Sequence, residues 1–250
     1  MKKELETSSS IIKTARIAGL LYFLQIPLGV FGLLFIPKTL VVINDTANTI
    51  KNILEHEFLF RLSIISSIIT ALLTVMTAMY IYKVLKSVNK AQASLIVLAA
   101  LVVAPISLVN ELNHVAILLL LKSPDGLGMF TANQQHVLIS TLLELHSYGL
   151  KICGIFFGLW LLPMGLLVYR SKFIPKIIGI LLVITCLGYL IDFVTYFCFP
   201  GFGLVVSDFA WPGEVLMVLW LLIKGVRIED WEKRRENRTS ISGSLVDLKK

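Results

Sequence analysis

Long apolar stretches separated by short polar ones dominate the chain, and six of them, residues 15–36, 58–82, 93–121, 148–169, 174–199 and 212–226, read as crossings of a bilayer. At 1.5 Å rise per residue, about 20 helical residues traverse the roughly 30 Å hydrocarbon layer. Lipid offers the backbone no hydrogen-bond partner, so each run must satisfy its own amides, and a helix does this locally. The ten-residue alternation of an outer-membrane barrel is absent from the pattern. These runs predict a bundle of six helices.

Polar side chains inside the runs fall at helical spacing. In the third run Ser107, Asn110, Glu111 and His114 share one helical face, and Pro105, lacking an N–H, frees a carbonyl one turn earlier. An ionisable group at membrane depth costs at least about 2.5 kcal/mol, which predicts partners on neighbouring helices or water. The first run carries Ala15, Ala18, Tyr22, Gln25, Gly29 and Gly32 in one stripe, a surface suited to close helix approach with Gln25 as an interhelical hydrogen bond. The second run repeats hydroxyls at Ser63, Ser66, Ser67, Thr70, Thr74 and Thr77, read as a packing seam in preference to a water-lined path. Arg61 lies opposite that seam, where it either snorkels to headgroups or pairs with a buried carboxylate.

On the approach to the fourth run, Glu144, Ser147, Tyr148 and Lys151 share one face, while His146 shares the other with Gly149 and Cys153. The fifth run sets Thr185, Gly188, Tyr189, Asp192, Thr195 and Tyr196 on one side, and Glu214 opens the sixth beside Pro212, a natural first-turn residue, where the helix dipole favours its charge. Asp45 and Thr131 or Asn133 are placed to start helices, and 123–126 and 199–203 to make turns.

Composition strengthens the membrane reading: 56% of the 250 residues are hydrophobic, 16% are charged, and mean hydropathy is +0.83. A net charge of +7 and a pI near 9.3 are compatible with nucleic-acid binding. The placement of the charge argues against it. Of the 23 Lys and Arg residues, 18 fall on alternate connections or at the two ends, which puts both termini in the cytoplasm by the positive-inside rule. The first run is too long for a cleaved leader. Cys153, Cys186 and Cys198 lie within apolar runs without metal-type spacing and read as packing residues. The expected fold is therefore all-α, a polytopic bundle of six transmembrane helices over 14–226, with a cytoplasmic segment at 1–13 and a charged, flexible cytoplasmic tail at 227–250.

From Thr14-Ala-Arg-Ile-Ala-Gly19 onward the chain resembles the bacterial domain of unknown function 4386, on Phe58-Leu-Phe-Arg61, Leu145-His146, Phe156-Phe-Gly-Leu-Trp160, Ile174-Pro-Lys-Ile-Ile-Gly179, Gly188-Tyr-Leu-Ile-Asp192 and Gly213-Glu214. The resemblance covers nearly all of 14–228 and implies a six-helix protein of the bacterial cytoplasmic membrane, with no settled activity. Arg61, Asn110, Asn113, His146, Asp192 and Glu214 match the family pattern, whereas Glu111 and His114 depart from it.

Threading the spans in this orientation gathers Arg61, Asn110, Glu111, His114, His146, Asp192 and Glu214 toward the outer side, around a shared hollow or in a closed ionic network. Three readings are compatible with that set. A structural network in a partner or sensor subunit comes first. Next is binding or transport of a small polar or lipidic ligand through an outward pocket, with Arg61 as an anion contact. Last comes a metal-dependent membrane hydrolase, with His114, His146 and Glu111 as ligands of a divalent metal. No other cofactor and no nucleic acid is expected, an enzyme is the less favoured class, and the partners expected are the bilayer, a membrane protein or a second copy of the chain.

Overall fold

The computed structural model describes residues 2–43, 45–122, 130–199, 201, 203 and 205–233. The turn expected at 123–126, part of that at 199–203, and the tail beyond 233 lie outside the described residues. All regular structure within them is helical. Helix α1 (Lys2–Gly29) passes through a wider π-helical segment (Val30–Phe35) into α2 (Ile36–Leu40). Helix α3 (Thr46–Glu55) is capped as expected by Asp45, whose Oδ1 accepts from the Asn48 amide at 2.9 Å. Helices α4 (Glu57–Leu85), α5 (Lys90–Asn110) and α6 (Leu112–Lys122) follow, the last two separated only at Glu111.

The 40-residue α7 (Ala132–Ser171) begins at Thr131, which exchanges hydrogen bonds with Gln134 in a capping box. Next come α8 (Lys176–Cys198), the single turn α9 (Ser207–Ala210) and α10 (Pro212–Ile223). Five helices are long and apolar enough to cross a membrane: Ser10–Leu40, Glu57–Leu85, Lys90–Lys122, Ala132–Ser171 and Lys176–Cys198. The sixth run forms the 12-residue α10, about 18 Å long, because Gly225 (φ +68°) ends the helix before 226. Residues 227–233, assigned by composition to the tail, begin with structure of their own. The Arg227 amide donates to the Phe173 carbonyl at 3.1 Å, and Trp231, on a short helical stretch at 228–233, is buried.

The outward faces are apolar. On α8 Ile177, Ile180, Ile184, Leu187, Ile191 and Val194 are all at least 43% exposed, a helical stripe that would be costly in water and is suited to acyl chains.

Among the described residues, the chain divides into two compact units, one drawn from 1–23, 75–101 and 154–250, the other from 24–74 and 102–153. The first packs through backbone approaches that only glycine permits. A Cβ at Gly19 would lie 2.7 Å from the Leu222 nitrogen, one at Gly213 would lie 2.8 Å from the Leu181 carbonyl carbon, and one at Gly179 would lie 2.6 Å from the Gly165 oxygen. Trp160, Met164, Leu167, Phe173 and Leu182 are buried in this unit. The second unit has a core of Ile36, Ile53, Phe60, Ile64, Ile117 and Ile139. Its hydroxyl seam bonds to carbonyls and to the first span: Thr70 to the Ser66 carbonyl, Ser66 to the Leu28 carbonyl, and Thr74 to Gln25 Oε1, at 2.8, 2.9 and 2.8 Å.

Candidate functional site: a buried glutamate and two histidines

In the second unit the polar face of α5 and α6 meets the His146 face of α7. The pairing runs in antiparallel order. Ser107 lies 3.5 Å from the Cys153 sulfur, Asn110 Nδ2 donates to the His146 carbonyl at 3.0 Å, and Glu111 reaches the His146 ring. Gly149 makes this approach possible: a Cβ there would stand 2.0 Å from Asn110 Oδ1. Asn113 donates to the Asn110 carbonyl at 2.9 Å and extends the seam by one turn.

Glu111 is the centre of the group. Oε2 lies 3.1 Å from His114 Nδ1 and Oε1 lies 3.1 Å from His146 Nε2, with the glutamate side chain 5% exposed and the two rings 11% and 10%. The imidazoles stack with centroids 3.6 Å apart, and the Phe60 ring meets His114 edge-on at 4.9 Å. An ionised carboxylate only accepts hydrogen bonds, so with Glu111 charged both facing ring nitrogens carry protons. A charge this deep requires such partners, and the core residue Phe60 keeps water from one side. One ligand-type atom from each of the three residues falls within 4.8 Å of the others.

The other candidates have partners of their own. Arg61 turns to Glu57, four residues back, with Nε 2.6 Å from Oε1, and Lys122 Nζ joins the same oxygen at 3.1 Å. Glu57 escaped the sequence reading, although its spacing to Arg61 is the usual one for a helical ion pair. A cleft of about 320 Å³ beside them is lined by Arg61, Ile64, Ile65, Val115, Leu118 and Lys122. In the first unit, Asp192 accepts from the Val206 and Ser207 amides at 2.5 and 2.9 Å. Glu214 takes hydrogen bonds from the Tyr22 hydroxyl and, at 3.4 Å, from Tyr189, while Trp160 meets the Tyr22 ring edge-on at 5.4 Å. Glu214, in the first turn of α10, thus has two phenol donors.

The sequence profile of Domain of unknown function (DUF4386) matches residues 17–225. The chain belongs to the DUF4386 family. Triad, Asp192 and Glu214 all lie inside the DUF4386 match. An uncharacterised protein of Archaeoglobus fulgidus is 32% identical over 109 residues, a match covering 42% of this chain and 66% of that protein. The chain therefore spans just under two thirds of that relative's length. No solved structure matches the chain.

Proposed function

We propose that this DUF4386 protein is a six-span protein of the cytoplasmic membrane with both termini inside, whose intramembrane charges act as local helix clamps in a partner or sensor subunit. The observation that carries this reading is that four carboxylates each take two donors from the chain itself. Glu57 takes Arg61 and Lys122; Glu111, two histidines; Asp192, two amides; and Glu214, two tyrosines. Carboxylates satisfied in this way fix helix register without needing a substrate. The alternating distribution of Lys and Arg supports the orientation. Counting α10 as the sixth span, reached through the turn α9, is consistent with an even number of crossings and both ends on one side.

Asp192→Asn tests the clamp. The amide keeps one acceptor but sets an N–H donor against a backbone N–H, so stability in detergent should fall by about 1.5–3 kcal/mol, the range for hydrogen bonds to a charged group. Unchanged stability together with loss of a cellular phenotype would rule the structural role out. A second reading, binding of an anionic lipid, is favoured by the cleft that places Arg61 and Lys122 beside apolar walls.

A further inference from the structure

We propose that Glu111, His114 and His146 form a binding site for a divalent transition metal, with Zn²⁺ the best fit to the donor set. This goes beyond the clamp role, since the same three side chains hold α5, α6 and α7 together without an ion. Two imidazole nitrogens and a carboxylate are borderline-soft donors in the combination that zinc accepts, leaving one tetrahedral position for water or an anion. Tetrahedral bonds of about 2.0–2.2 Å place donors roughly 3.3–3.6 Å apart. Each carboxylate oxygen is already 3.1 Å from one histidine nitrogen, and one donor atom from each of the three residues lies within 4.8 Å of the other two, so side-chain rotations bring them to one point.

The charge and proton balance also suit a cation. With both imidazoles neutral the triad carries one negative charge in an apolar setting, which a divalent ion reverses to a single positive charge that one anionic ligand cancels. Binding requires His114 Nδ1 and His146 Nε2 to give up their protons. Each neutral ring does so by moving its proton to the opposite nitrogen, and any imidazolium present releases one proton to solvent. Asn110 and Gly149 fix the height of α7 against α5, so the histidine contributed by α7 arrives at the level of Glu111. Coordination would replace two hydrogen bonds by bonds to one ion and lock the helices more firmly, making the clamp respond to metal.

The test uses untagged full-length protein in detergent, stripped with chelator and titrated with Zn²⁺ alone or Co²⁺ alone. The expected result is about one ion per chain, with Co²⁺ showing the intense visible absorption of a four-coordinate site. Glu111→Gln and His114→Gln should each weaken binding at least about tenfold, the lower bound for disturbing even an outer partner of a metal. Gly29→Ala, whose added methyl would meet nothing within 4 Å, should bind as the parent does. Zinc should also raise the melting temperature of the parent but not of His114→Gln. Substoichiometric binding by the parent, a six-coordinate cobalt spectrum, or full affinity in both triad variants would overturn the proposal. The parent's cobalt spectrum decides the matter even if a variant fails to fold.

Discussion

Gly149 shows how much one missing methyl group decides. Its hydrogen leaves the space that Asn110 occupies, and Asn110 in turn holds the His146 carbonyl. Gly149→Ala must expel that side chain or separate the helices, and should destabilise the protein by about 1–3 kcal/mol, as overpacked cores do. Thermal unfolding in detergent would measure it. Adding Asn110→Ala to Gly149→Ala removes the clash, so the double variant should be more stable than the sum of the single losses; strict additivity would refute the contact. Glu111 sits one residue from this contact, with each carboxylate oxygen beside a different ring. Moving Asn110 should therefore also weaken metal binding without touching a ligand.

At the scale of elements, helices of the first unit meet through glycine, where lipid supplies no hydrophobic drive and close packing must substitute. Gly179 and Gly165 bring α8 and α7 so near that a Cβ at Gly179 would lie 2.6 Å from both the Gly165 oxygen and the Tyr169 nitrogen. Backbone cannot rotate away as a flexible side chain can. Gly179→Ala should cost about 1–3 kcal/mol of stability, whereas Gly29→Ala, whose Cβ would meet nothing within 4 Å, should be neutral or slightly stabilising. Equal melting temperatures for the two variants would show that this helix contact is looser than described. The short α10 is held to its unit by the same means, through Gly213 against Leu181 and Gly19 against its own backbone at Leu222, with Tyr22 donating to Glu214.

For the molecule as a whole, the prediction concerns orientation. Reporter fusions at residue 1 and residue 250 should both read as cytoplasmic, with a fluorescent protein active and an exported phosphatase inactive at each end; opposite readings would mean an odd number of crossings. Much of the helical fold was legible in one dimension. Hydropathy alone determined the helical, membrane-spanning class, because only helices satisfy the backbone of such runs in lipid. Helical periodicity likewise determined which side chains share a face: Ser107, Asn110, Glu111 and His114 on one helix, His146, Gly149 and Cys153 on another. The cap at Asp45 was equally readable, being local chemistry, and the structure chose Thr131 over Asn133 for the start of α7. Only the tertiary structure decided that those two faces meet, that Lys122 joins Glu57 from another helix, and that the Glu214 carboxylate lies between Tyr22 and Tyr189. The physical reason is range. Periodicity and capping depend on neighbours within a turn or two, whereas helix pairing depends on shape, on which glycine lets which backbone approach, and no pattern within a single helix records its partner.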